Sequence, residues 1–222
     1  QAGSPEEVLA RLNEPQARAD CVPFLRDKLG VKKGTQIIGY TASGRFAGST
    51  LGEAAAGEGT SCEDLLFDLI LQGVGTFIFP WQTPDEENKA VTAETAAHPR
   101  MMLASDGVYD VPHPHPRGFG CFAQLLGRFV RERGALPLEE AVFKMSGFQA
   151  ERFGLKDRGR LAVGMAADIV VFDPATVADR ATWSEPMQPA EGVDEVMVNG
   201  TWAKRDGKIT GVLPGRAIGR SR

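Results

Sequence analysis

Arg100-Met101-Met102-Leu103-Ala104-Ser105-Asp106-Gly107 reads as an apolar strand that stops in a turn-forming Ser-Asp-Gly. Two earlier runs share its texture. Residues 35–40, rich in Ile and bounded by Lys33-Gly34 and Ser43-Gly44, are continuous rather than alternating. So are residues 75–81, which carry Thr76-Phe77-Ile78-Phe79. Both are expected to be strands covered on two faces. Between them, 50–56 and 61–72 carry a helical pattern, with Leu65, Leu66, Leu69 and Ile70 at 3.6-residue spacing. Thr83-Pro84-Asp85-Glu86-Glu87 then opens a helix toward His98-Pro99. Strand, helix, strand, helix, strand predicts parallel βαβ units with helices over the sheet.

Working outward, Ser4-Pro5-Glu6-Glu7 supplies a capping Ser, Pro at the first helical position and a first-turn acid pair. Residues 21–29 form a second amphipathic stretch that stops at Gly30. Beyond the Pro- and His-rich loop 108–120, residues 122–133 and 138–145 are amphipathic helices. Past Gly147 the texture changes to short β-rich pieces at 160–161, 167–173, 195–199 and 201–204. Asn199-Gly200 and Asp206-Gly207 are strong hairpin signals within them. The chain therefore divides into an α/β part, 1–146, and a small β domain, 147–222.

Composition bounds the function. A 222-residue chain that is 42% hydrophobic and 24% charged is ordinary globular material. Its net charge of −4 offers no basic field to a phosphate backbone, so nucleic acid is not an expected partner. No apolar run approaches the roughly 18 to 20 residues of a membrane span. Cys21, Cys62 and Cys121 are too far apart for a disulfide framework or zinc knuckles, and read as reduced thiols in a cytoplasmic protein.

Asp106 is the most informative position for chemistry. It ends an apolar strand, where α/β barrels place catalytic side chains, and a carboxylate there can hold a metal or move a proton. The same tripeptide can also be a simple turn with Asp accepting backbone N–H bonds. His113-Pro114-His115-Pro116-Arg117 follows. The flanking prolines forbid strand pairing and make this a stiff substrate loop rather than a metal-binding His-x-His. Arg117 could clamp a carboxylate with its planar fork, or be an exposed arginine. Ser43 lies in a flexible loop after the first strand. There is no dinucleotide or P-loop glycine pattern and no Gly-x-Ser-x-Gly elbow. No Cys has a nearby His or second Cys, which argues against cysteine catalysis.

Taken together, these motifs resemble a known family. The run Gly159-Arg160-Leu161-Ala162-Val163-Gly164-Met165-Ala166-Ala167-Asp168-Ile169-Val170-Val171-Phe172-Asp173, followed by Val196-Met197-Val198-Asn199-Gly200, looks like the closing β segment of amidohydrolase-superfamily enzymes. Within that superfamily, His98-Pro99, Met102-Leu103-Ala104-Ser105-Asp106-Gly107, His113-Pro114-His115-Pro116-Arg117, Lys144-Met145-Ser146-Gly147 and Arg152-Phe153-Gly154-Leu155 resemble the N-acyl-D-amino-acid deacylases, or D-aminoacylases.

The resemblance implies an α/β fold: a (β/α)₈ barrel of parallel strands holding zinc, followed by a small β-sandwich. It implies hydrolysis of the amide of an N-acyl-D-amino acid. Asp106 matches the family aspartate that takes a proton from metal-bound water and returns it to the leaving amine, and it is the one metal ligand this chain could offer. Arg117 matches the arginine that pairs with the substrate carboxylate, and Ser43 a polar substrate contact. The family's N-terminal His-x-His, its metal-bridging Cys and its two later His ligands have no counterpart here. A complete barrel takes about 250 residues, against the 146 of the α/β part. The expectation is therefore a C-terminal portion: residues 1–146 from the end of the barrel and 147–222 from the sandwich, inactive alone and not retaining zinc. Two other readings stand beside it. One is another amidohydrolase acting on cyclic amides, of dihydroorotase or hydantoinase type. The other is a non-catalytic degenerate barrel fragment that assembles with itself or with a missing N-terminal half.

Overall fold

The computed structural model describes residues 3–41, 43–72, 77–79 and 86–218. Two compact units make up the chain. The first comprises Gln1–Asp85, Val108–Pro116 and Thr182–Pro186; the second comprises Glu86–Gly107, Arg117–Ala181 and Met187–Arg222.

In the first unit, helix ends follow local chemistry. Helix α1, Pro5–Leu12, is closed by a reciprocal box: Glu7 N donates to Ser4 Oγ at 3.2 Å and Ser4 N to Glu7 Oε2 at 2.8 Å. Helix α2, Pro15–Leu29, begins before the 21–29 pattern because Pro15 supplies a ready first position, and it stops at Gly30, whose φ of 60° suits glycine. Strand β1 is Ile37–Tyr40. Thr50 with Glu53 caps α3, Leu51–Glu58, and Ser61 caps α4, Cys62–Leu71. Leu25, Ile38, Leu51, Leu65 and Leu69 form the core of these elements. Gly34 and Gly52 let the turn after α2 and helix α3 meet backbone to backbone: Gly52 N donates to Gly34 O at 2.9 Å, and a Cβ on Gly34 would lie 2.6 Å from Gly52 Cα.

The expectation of parallel strands is not met here. Strand β2, Phe77–Phe79, pairs antiparallel with β1, Ile37 opposite Phe79 and Ile38 opposite Ile78. A parallel pair needs a single crossover that returns the chain to its starting edge. Two helices, α3 and α4, stand between these strands, and β2 arrives running the other way. The remaining residues of the expected strand, and the opening of the following helix at 83–85, lie outside the described residues.

In the second unit, α5 is Glu86–Ala97 and α6 is Arg117–Gln124, which runs on as a π-helical stretch, Leu125–Glu132. Helices α7, Leu138–Met145, and α8, Gly147–Phe153, follow, so helical structure continues a little past Gly147. Ala96, Leu125, Leu126, Phe129, Leu136, Ala141 and Val177 are buried together. The third expected strand, 100–105, forms no ladder. It opens in a turn, Met101 N donating to the His98 carbonyl at 3.0 Å, and packs Met101 and Leu103 against this core, but no neighbouring strand among the described residues offers it an edge.

The β-rich end closes as expected from residue 169 onward. Strands β3 Ile169–Phe172, β4 Val193–Val198, β5 Thr201–Arg205 and β6 Lys208–Ile209 form one antiparallel sheet in sequential order. Asn199-Gly200 joins Val198 to its partner Thr201, and Asp206-Gly207 joins Arg205 to Lys208. All four turn residues have positive φ, from 48° to 77°, the conformation that two-residue hairpins require. Residues 160–161 form no strand, and a second sheet facing this one is not found among the described residues.

One ion pair in the first unit makes stability depend on pH. Arg26 Nε donates to Glu63 Oε1 at 2.5 Å, with the Glu63 side chain only 6% exposed. That hydrogen bond holds the Glu63 carboxyl below its usual 4.5, more than burial raises it. A carboxyl depressed in the fold stabilises above its unfolded value and loses that stability as pH falls through the folded one. Arg26→Met should therefore cost about 1 kcal/mol at pH 7, with the difference shrinking below pH 4.5. Urea midpoints across pH check this; a pH-independent difference would contradict it.

Candidate functional site

Asp106 and Arg117, eleven residues apart in sequence, meet in the second unit. Arg117 Nη2 lies 2.5 Å from Asp106 Oδ2, and Arg117 Nε donates to the Asp106 carbonyl at 3.1 Å. One guanidinium thus grips both the side chain and the backbone of the same residue, closing the base of the intervening loop. Asp106 has φ of 45°, a left-handed conformation that Asp tolerates better than most side chains. Gly107 N donates to Ser105 Oγ at 3.3 Å, so the backbone N–H bond of this tripeptide goes to the serine and not to Asp106, whose carboxylate accepts from Arg117 instead. With Asp106 82% and Arg117 40% exposed, the pair contributes about 1 kcal/mol or less to stability. Both groups are open to an incoming ligand.

Upstream of Asp106, the ladderless segment is held by side chains from α7 and α8. Lys144 Nζ donates to the His98 carbonyl and sits 3.3 Å from Glu140 Oε1. Gln149 Nε2 donates to the Leu103 carbonyl and, at 3.2 Å, to the Lys144 carbonyl. Lys144 is 1% exposed. Sequence reading assigned neither residue a role. The available signal was Lys144 itself, three residues after Ala141, which places a cation on the same buried helix face. His98 accepts at Nδ1 from Arg100 N, 3.3 Å away.

The His-Pro-His-Pro loop belongs to the first unit and is pinned by Trp183. His113 Nε2 lies 2.6 Å from the Trp183 carbonyl, which can only accept, so that nitrogen carries the proton and is not a metal donor. The His115 ring packs edge-on against the Trp183 ring at 4.5 Å, and Pro114 is fully buried. This agrees with a stiff loop. Ser43 is exposed in the turn after β1, its Oγ 3.4 Å from both Thr41 Oγ1 and Arg45 N. It belongs to the first unit, whereas Asp106 and Arg117 belong to the second.

The three cysteines are free thiols. Burial pushes Cys62 and Cys121 above the usual thiol range, which disfavours the nucleophilic thiolate. No group of three or more His, Cys, Asp or Glu that could hold a metal occurs among the described residues. No helix among them is long and apolar enough to cross a membrane.

A family model described as "Amidohydrolase family" matches residues 79–202, more than half of the chain. The chain belongs to the amidohydrolase family. It is 41% identical over 176 residues to a D-aminoacylase of Alcaligenes xylosoxydans xylosoxydans, a match covering 79% of this chain and 35% of the relative. A crystal structure of a D-aminoacylase said to define a novel subset of amidohydrolases superposes with a TM-score of 0.68 at 38% identity, over 82% of this chain and 37% of the other. The N-acyl-D-glutamate deacylase of Bordetella bronchiseptica superposes with a TM-score of 0.64 at 34% identity, over 82% and 39% respectively. That enzyme is complexed with zinc and a phosphonate that mimics the tetrahedral intermediate. The chain spans about a third of the length of the D-aminoacylase it matches.

Among the described residues the donors do not assemble a zinc site by themselves. Asp106 is paired with Arg117, and His113 Nε2 is taken up by the Trp183 carbonyl. The 222 residues expressed alone and dialysed from zinc buffer should accordingly retain well under one equivalent by elemental analysis. A stoichiometric, chelator-resistant ion would show that the ligand set had been misjudged.

Proposed function

We propose that this chain is the C-terminal portion of a metal-dependent amidohydrolase that cleaves the linear amide of N-acyl-D-amino acids by metal-activated water. The observation that carries the reading is the Asp106–Arg117 pair: a carboxylate and a guanidinium brought together at the end of the segment 101–106, both accessible. The match to a D-aminoacylase and the fold likeness to an N-acyl-D-glutamate deacylase support the substrate class.

Zinc, when bound in the longer enzyme, would polarise the amide carbonyl and make hydroxide available near neutral pH. Its His and Cys ligands would come from residues beyond these 222, with Asp106 adding one carboxylate oxygen at most. What this chain supplies is proton handling and orientation. Asp106 accepts the proton of the attacking water and returns it to the amide nitrogen, so that the products are the acyl carboxylate and a free D-amino acid. Arg117 exchanges its bond to Asp106 for the α-carboxylate of the substrate, which its fork can hold bidentately. Ser43 is a candidate polar contact from the loop after β1.

On this reading residues 1–146 contribute the end of a (β/α)₈ barrel in a cytoplasmic enzyme, and 147–222, with the antiparallel sheet β3–β6, contribute to a small β-sandwich. Both would be finished by an N-terminal portion with which this chain associates, leaving the isolated chain inactive. The cyclic-amide reading has a shorter match behind it, 37% identity over 73 residues to a dihydroorotase of Lactobacillus acidophilus covering 33% of this chain, and is less favoured than deacylation; a purely structural role has no observation of its own in its favour. An assay panel on the full-length protein separates these from deacylation.

In that full-length protein, Asp106→Asn should lower kcat by about 100-fold or more with little change in KM. Arg117→Ala should raise KM by roughly 10- to 100-fold, as loss of a charge-assisted bidentate contact requires. Steady-state kinetics on an N-acyl-D-amino acid checks both. An unchanged KM in Arg117→Ala removes the clamp, and a wild-type kcat in Asp106→Asn removes the proton-transfer role.

A further inference from the structure

We infer that Lys144 and Gln149 are positioning residues that hold the segment carrying Asp106 in register for proton transfer; this rests on the role proposed for Asp106. Met101 N donates to the His98 carbonyl at 3.0 Å in the turn that opens the segment, but residues 101–106 form no strand and have no strand partner among the described residues, so backbone hydrogen bonds between strands do not fix where Asp106 sits. Two side-chain donors take that place. Lys144 Nζ bonds the His98 carbonyl at the start of the segment, and Gln149 Nε2 bonds the Leu103 carbonyl three residues before Asp106. Gln149 also bonds the Lys144 carbonyl at 3.2 Å, so the two donors are tied to each other through the α7–α8 junction. Met101 and Leu103 anchor the same segment by packing into the helical core.

The choice of a lysine is informative. An ammonium that is 1% exposed is costly to desolvate, and its carboxylate partner Glu140 is itself 39% exposed on the side chain. An apolar residue would fill the space at lower cost, but it could not bond the His98 carbonyl. Downstream, Arg117 restrains the Asp106 side chain. When a substrate carboxylate draws Arg117 away, the α7–α8 donors are what keep Asp106 in place. That sets a division of labour: Arg117 acts on binding, and Lys144 and Gln149 act on the chemical step through Asp106.

The test uses the full-length enzyme with zinc content measured for each variant. Gln149→Glu keeps the size of the side chain but removes its N–H donors; Lys144→Met removes the ammonium and keeps its length. Each should lower kcat by roughly 10- to 100-fold, the effect of about 1 Å of misplacement, with KM within about threefold of wild type. Lys144→Arg, which retains a donor, should recover most of the loss. Normal kcat in folded, zinc-loaded Gln149→Glu and Lys144→Met overturns the inference, as does a loss that appears in KM alone. Should Lys144→Met fail to fold, Gln149→Glu at a half-buried position carries the same test. Asp106→Asn run in parallel separates the two levels. Full activity there overturns the proposed reading and this inference together. An inactive Asp106→Asn beside fully active brace variants overturns this inference alone.

Discussion

A segment with no strand partner among the described residues must be held in place by other bonds, and the second unit is organised around that constraint. Residues 98–106 lead to Asp106, and buried polar groups left without partners cost roughly 1 to 3 kcal/mol each. The fold meets the requirement with long side chains from α7 and α8 on one side and with Arg117 on the other. Helix α7 buries Ala141 and Lys144 on one face, so the packing that builds the core is also what delivers the ammonium to the His98 carbonyl. The position of the candidate carboxylate is therefore a consequence of helix packing rather than of a sheet.

This arrangement gives physical content to the relation between the chain and its relatives. A barrel strand is normally held by two neighbours, and the edge of a lone strand is a liability. Here the segment that would be such a strand keeps an alternating burial pattern, Leu103 and Ser105 partly buried with Ala104 and Asp106 exposed, as if one face were still a core face. Its side chains already know their sides. The strand pairing would be added by further barrel strands in the longer enzyme proposed above, and Asp106 would then project at the rim where the loops converge.

Features encoded within a few residues were legible in the sequence. Ser4 with Glu7 and Thr50 with Glu53 are capping boxes whose partners sit three residues apart, and Asn199-Gly200 and Asp206-Gly207 specify two-residue hairpins by their tolerance of positive φ. Asp106 and Arg117 were picked out singly, from a strand end and a loop end, but their pairing was not foreseen. Relations across many residues were not legible. The bonds from Lys144 to His98 and from Gln149 to Leu103 each span 46 residues, and nothing in a local pattern announces them. Strand direction failed for the same reason: continuous apolar runs at 35–40 and 75–81 say that a strand is buried, while the sense of the pairing depends on how two intervening helices return the chain.

The central claim is that Asp106 and Arg117 form one site, with the guanidinium exchanging its bond to Asp106 for a substrate carboxylate. A crystal structure of the full-length zinc enzyme with a phosphonate analogue of an N-acyl-D-amino acid addresses it most directly. The account predicts Arg117 on the ligand carboxylate and Asp106 within hydrogen-bonding distance of a phosphonate oxygen. Arg117 still bound to Asp106, with the ligand carboxylate held by other residues, would contradict it.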